Sequence, residues 1–180
     1  MNSHRIQTRR ERYEDKRSTA KTFPISIATI NFMFDENLGF VVRSAACFGA
    51  NAVHVIGSMP QTAVLRSKSG SIDQFVNIIQ HNNPTDFLEW CKNNNTKIVS
   101  AELTDGAIEI NDYYPDFSGP ICIVVGHEET GVPAEISAAS DNVYIEMPGV
   151  GFCLNTSQTA NIMLHDFVNK FRRASILTAA

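Results

Sequence analysis

The chain has 180 residues, 43% of them hydrophobic and 19% charged, which predicts one α/β-sized domain with a full core and no need for a second. No apolar run approaches the roughly 20 residues of a membrane helix, and the opening residues are charged where a secretory leader needs an apolar core, so a soluble cytoplasmic protein without membrane contact is expected. Four dispersed cysteines, Cys47, Cys91, Cys122 and Cys153, include no Cys-x-x-Cys pair, so reduced thiols and no metal are expected.

A formal net charge of −4 argues weakly against nucleic acid, but the charge is unevenly spread. Residues 1–21 hold seven Lys and Arg against three Asp and Glu, and the remainder is acidic. The division is into a basic arm over 1–21 and a single domain over 22–180. Such an arm can reach a polyanion that the body would repel, or it can be a solvated tail.

Phe23 to Ile30 is apolar and β-branched, as in a strand buried on both faces. Asn31 to Glu36 reads as a loop. From Asn37, placed at the helix N-cap, Leu38, Val41, Val42, Ala45, Ala46 and Phe48 recur at helical spacing until Gly49. Ala52 to Gly57 is a second strand, and strand-helix-strand in this space implies a parallel pair with a right-handed crossover. Ser58 to Gln74, with Arg66-Ser67-Lys68-Ser69-Gly70-Ser71, reads as an exposed mobile loop able to contact a substrate. A strand over Phe75 to Gln80, a helix over Pro84 to Asn93 and a strand over Lys97 to Leu103 follow, and Thr104 to Pro120 is irregular.

Ile121 to Val125 is the most hydrophobic strand and is placed at the sheet centre. It runs into Gly126-His127-Glu128-Glu129-Thr130-Gly131, a glycine-bracketed acidic loop where open α/β sheets collect ligands. Val143 to Met147 is the last strand, Pro148 to Gly151 a turn, and Asn155 to Arg172 the last helix, whose free amides suit a polar or anionic ligand. Gly149-Val150-Gly151 lacks the third glycine of a dinucleotide fingerprint, since Leu154 stands there, so an oxidoreductase is the weakest reading. Cys153 as a nucleophile would need an oriented histidine. His127 reads as a loop hydrogen-bonder, and Arg43 on a mostly apolar helix is costly as a mere surface charge.

Three loops, each after a buried strand, resemble the three motifs of the SpoU (TrmH-like) RNA 2′-O-methyltransferases in the SPOUT superfamily. Asn37-Leu38-Gly39-Phe40-Val41-Val42-Arg43 resembles Asn-x-Gly-x-x-x-Arg, and Gly126 to Gly131 resembles Gly-x-Glu-x-x-Gly. Ile145-Glu146-Met147 through Cys153-Leu154-Asn155-Thr156-Ser157 is similar to Ile-Pro-Met and Ser-Leu-Asn-Val-Ser. The resemblance covers roughly 130 residues between Ile25 and the C-terminus.

It implies a mostly parallel α/β sheet with a C-terminal trefoil knot, a topology no pattern rule predicts. It further implies S-adenosylmethionine as cofactor, held by Gly126, Ile145, Met147 and Leu154, and a homodimer in which Arg43 acts near the partner's cofactor. RNA, either tRNA or rRNA, is the implied substrate. The implied catalytic set is Arg43, Asn37, Glu128, Cys153 and Asn155. A guanidinium is a poor base, so binding phosphate and stabilising the forming alkoxide is the preferred role for Arg43. Cys153 replaces a serine and Glu146 a proline, which keeps open the alternative of a non-catalytic RNA-binding knot protein.

Overall fold

The computed structural model describes residues 8–177. Seven strands, β1 (Phe23–Ile30), β2 (Ala50–Ile56), β3 (Asn77–His81), β4 (Lys97–Ala101), β5 (Ile108–Glu109), β6 (Ile121–Val125) and β7 (Asp141–Tyr144), form one sheet in the order β3-β2-β1-β6-β4-β7-β5. Every pairing is parallel. β6 is central and buried along its whole length, as its composition requires of a strand covered on both faces.

Alternation along β6 feeds two cores. Ile121, Ile123 and Val125 pack with Val41, Val42, Leu164 and Phe167 from α2 (Asp35–Phe48) and α6 (Thr156–Leu177), whereas Cys122 and Val124 pack on the other face with Phe87, Cys91 and Ile136. The second face is covered by α4 (Pro84–Asn93) and α5 (Ala134–Ala138). His54 and His81 are buried there, with His54 Nδ1 2.9 Å from His81 Nε2 and the rings of Phe87 and Trp90 around them. His54 Nε2 has no hydrogen-bond partner among the described residues.

Ser58 to Gln74 is not a mobile loop. It contains α3 (Thr62–Ser69), closed by Gly70 in the left-handed conformation, and a 3₁₀ turn over Asp73–Phe75. Only Leu65, Ser69 and Ile72 are buried, so the apolar periodicity is too sparse to read in a polar segment, and packing on α2 supplies the order. Gly39 makes that packing possible: a Cβ added to it would lie 2.4 Å from Lys68 Cβ.

Part of the basic N-terminal segment is also ordered, as α1 (Arg9–Arg17). Thr8 and Glu11 form a reciprocal capping box, and Tyr13 docks on Phe75 with ring centroids 6.4 Å apart. Residues 1–7 lie outside the described residues.

The last strand spans Asp141–Tyr144 rather than 143–147, because it pairs with β4 only through Asp141, Asn142 and Val143. Ile145 onward leaves the sheet. Pairing also sets β2 and β3 at Ala50–Ile56 and Asn77–His81, and β4 stops at Ala101. The short β5 lies inside the segment expected to be irregular. Beside it, buried Lys170 donates to the carbonyls of Ile110 (2.5 Å) and Tyr113 (2.9 Å) and pairs with Asp166 at 2.7 Å, tying α6 to that segment. No described helix is long and apolar enough to cross a membrane.

Candidate active site

Register places the loops. Thr29 pairs with Val125, Val125 with Ala101, and Ala101 with Val143, so β1, β6, β4 and β7 end level with one another. The segments that follow them therefore share one edge of the sheet. That edge includes the reversal point, where the chain has gone outward through β1, β2 and β3 and returns to the other side for β4.

Three of those segments are joined by one hydrogen-bonded chain. Asn37 Nδ2 donates to Glu128 Oε1 at 2.5 Å, Asn155 Nδ2 donates to Asn37 Oδ1 at 3.2 Å, and Ser157 N–H and Oγ donate to Asn155 Oδ1 at 2.9 and 2.6 Å. Each link orients the next. An ionised carboxylate only accepts, so it takes the Asn37 amide nitrogen and turns its oxygen to Asn155, whose own oxygen is left to cap α6. Thr156 Oγ1 donates to Gly126 O at 2.9 Å and fixes the α6 start to the end of β6.

Asn37 is not the N-cap of α2. The helix begins at Asp35 after an extended Phe34 that offers no side-chain cap, which puts buried Asn37 at its third position. Glu128, 95 residues away, instead fastens the residues leading into the helix, accepting from Met33 N–H at 2.9 Å. Partial burial alone would raise the Glu128 pKa, but hydrogen bonds from Met33 N–H, its own N–H, the Asn37 amide and Phe34 N–H outweigh it and hold the carboxyl below its ordinary range.

The acidic loop is rigid for a reason. His127 and Gly131 exchange two backbone hydrogen bonds of 3.0 Å, and His127 Nδ1 accepts from Glu129 N–H at 3.1 Å, which is the loop-bonding role expected of it. Gly126 faces Gly131 so closely that a Cβ would lie 2.4 Å from the Gly131 carbonyl carbon. Glu102, which the sequence reading missed, accepts from Val132 N–H at 2.7 Å and closes the loop from the end of β4. A carboxylate directly after a buried parallel strand was the available signal.

Arg43 and Cys153 do not join this chain. Arg43 is exposed on α2, with no ion pair or side-chain hydrogen bond among the described residues. Six residues from Asn37, it points about 120° away around the helix. Cys153 is exposed and free. Ile145 and Met147 are half-buried, Ile145 against the core, and Leu154 is 36% exposed. Leu154 and Asn155 line an open groove of about 730 Å³ with Asn37, Phe40, Ser44, Gln158 and Ile162. Between Ile145 and Leu154 no backbone N–H or C=O is hydrogen-bonded to another described residue.

A model of the SpoU rRNA methylase family matches residues 24–165. The chain belongs to that family. Among its SpoU-type relatives, the tRNA (guanosine(18)-2′-O)-methyltransferase of Escherichia coli (strain K12) is 25% identical over 132 residues, 73% of this chain and 57% of the relative. A 23S rRNA (guanosine-2′-O-)-methyltransferase of Acinetobacter baylyi is 35% identical over 135 residues, covering 73% and 54%. The chain thus spans little more than half the length of these curated relatives. The fold is that of the A. aeolicus TrmH/SpoU tRNA modifying enzyme, with a TM-score of 0.77 at 21% identity over 94% of this chain and 87% of that one. An AdoMet-bound rRNA methyltransferase from Sinorhizobium meliloti superimposes with a TM-score of 0.75 at 21% identity, covering 81% and 56%.

Proposed function

We propose that this protein is an S-adenosylmethionine-dependent RNA methyltransferase that methylates a ribose 2′-hydroxyl in tRNA or rRNA. The observation that carries the reading is the Glu128–Asn37–Asn155 chain, which holds all three family segments in one constellation at the ligand-binding edge of the sheet. The names of the E. coli and A. baylyi relatives supply the two substrate classes.

The residues present fit the cofactor. An adenosyl group needs apolar walls and a few backbone donors and acceptors. Ile145, Met147 and Leu154 offer the walls, and the unbonded backbone from Ile145 to Leu154 offers the polar contacts, with Gly126 at the end of β6 opposite. When bound, the group supplies an electrophilic methyl on a sulfonium.

The protein's part is positioning and charge. Asn155 and Asn37 fix the loop around the reacting groups, since an in-line transfer tolerates little misplacement. Glu128, held ionised, locks both amides. The Arg43 guanidinium binds phosphate through its fork of N–H donors and stabilises the negative charge that develops on the ribose oxygen as the hydroxyl gives up its proton to solvent water. Cys153 lines the same segment, with a thiol where relatives place a hydroxyl.

Because Arg43 points away from Asn37, one protomer does not complete the site, and a homodimer bringing Arg43 to the partner's cofactor is part of the proposal. Exposed Phe40 and Ile162 along the groove supply an apolar contact for it. The trefoil knot, the single domain over 22–180 with a basic segment before it, and a cytoplasmic location complete the reading.

The test is transfer of a labelled methyl from S-adenosylmethionine to unmodified RNA, followed by alkaline hydrolysis. Label in resistant dinucleotides, abolished by Arg43→Ala, is expected. A wild-type protein that binds cofactor and RNA without transferring label refutes it.

A further inference from the structure

We infer that the seam between α2 and α3 is a track for the RNA backbone, with Lys68 and Arg66 as phosphate-binding residues beside Arg43; this rests on the RNA-methylating reading above. Gly39 lets the α3 backbone approach α2 at Lys68. One turn further along α2, on that same flank, stands Arg43. The seam therefore gathers cations from two helices.

Two of these cations lack counter-charges. Lys68 and Arg43 have no ion-pair partner among the described residues, and the first-turn carboxylates Asp35 and Glu36 form no ion pair with either. Arg66 is held only loosely, its Nε 3.8 Å from Asp73 and its side chain 64% exposed. Beyond it the 3₁₀ turn carries Arg17 of α1, whose guanidinium lies 5.5 Å over the Phe75 ring and extends the cationic surface. A folded, net-acidic body that keeps several uncompensated cations along one seam is matched by a polyanion, and the phosphate backbone of the substrate is the one the site itself calls for.

Lys68 half-buries its stem on α2, so Lys68→Met keeps the packing and removes only the charge. Binding of a fluorescently labelled, unmodified tRNA transcript to the full chain is measured across about 50–300 mM salt. Lys68→Met and Arg66→Gln should each weaken binding about 3- to 10-fold and lower the slope of log K against log salt by about one. Lys68→Arg should restore both. S-adenosylmethionine binding and the melting temperature should stay as in the wild type. A Lys68→Met/Arg66→Gln double variant with wild-type affinity and slope overturns the inference, whereas a wild type that binds neither this transcript nor an unmodified 23S rRNA transcript overturns the functional reading itself.

Discussion

Acidification offers a direct test of the buried histidine pair. Burial, followed by the charge of His81, lowers the His54 pKa from 6.5 to about 4, and burial likewise lowers that of His81 against a partly opposing effect of Asp86. The folded value lies below the unfolded one, so the unfolded chain takes up the proton first. Stability is complete above pH 6.5 and falls as the pH drops toward 4. For His54 alone the loss is about 2 kcal/mol at pH 5 and about 3 kcal/mol at pH 4. In a chain of this size that lowers the melting temperature by about 4–8 °C between pH 7.5 and pH 5. Circular dichroism melts should show the fall, and His54→Phe, which keeps a ring against Phe87 and Trp90 but carries no proton, should remove at least half of it. A wild-type melting temperature that moves by less than about 1 °C, or a His54→Phe protein with an unchanged fall, would refute the reasoning.

Asn37→Ala leaves Glu128 and Asn155 without their shared partner, and the methyl-transfer rate should fall about 10- to 100-fold with cofactor binding largely kept; full activity would sink the positioning role. Lys170→Met leaves half-buried Asp166 and the Ile110 and Tyr113 carbonyls without their partner and should cost about 3 kcal/mol in urea unfolding, part of which an Asp166→Leu change made alongside it should restore. A Lys170→Met protein that unfolds at the wild-type urea concentration would show that the pair contributes nothing.

What the sequence discloses depends on how local the cause is. The strands at Phe23–Ile30 and Ile121–Val125 are written in continuous apolar residues, and the placement of Ile121–Val125 at the centre follows from its composition alone. The resemblance to the SpoU motifs implies Asn37, Glu128 and Asn155 in one site, and the three side chains do meet. α3 escaped notice because its order comes from a single buried leucine and a close approach at Gly39, neither of which has a period. Asn37 reads as a cap because a capping residue normally opens its own helix, whereas here the helix begins two residues earlier and Asn37 is held by Glu128 from the loop after the neighbouring strand. The end of the last strand is set by where β4 stops, and the role of Glu102 by a loop thirty residues on, so both required the tertiary arrangement.

The central position of β6 also sets an order of events on the ribosome. β1, β2 and β3 can pair once residue 81 has emerged, but both neighbours of β4 in the sheet, β6 and β7, are made after it. Until residue 125 clears the exit tunnel, the inner edge of β1 carries unpaired amides and carbonyls on a strand that is almost wholly apolar. Synthesis of the stretch from 82 to 120 is thus the interval in which a nascent chain is most exposed to aggregation and most dependent on chaperones, and a translational pause placed there would be the most damaging.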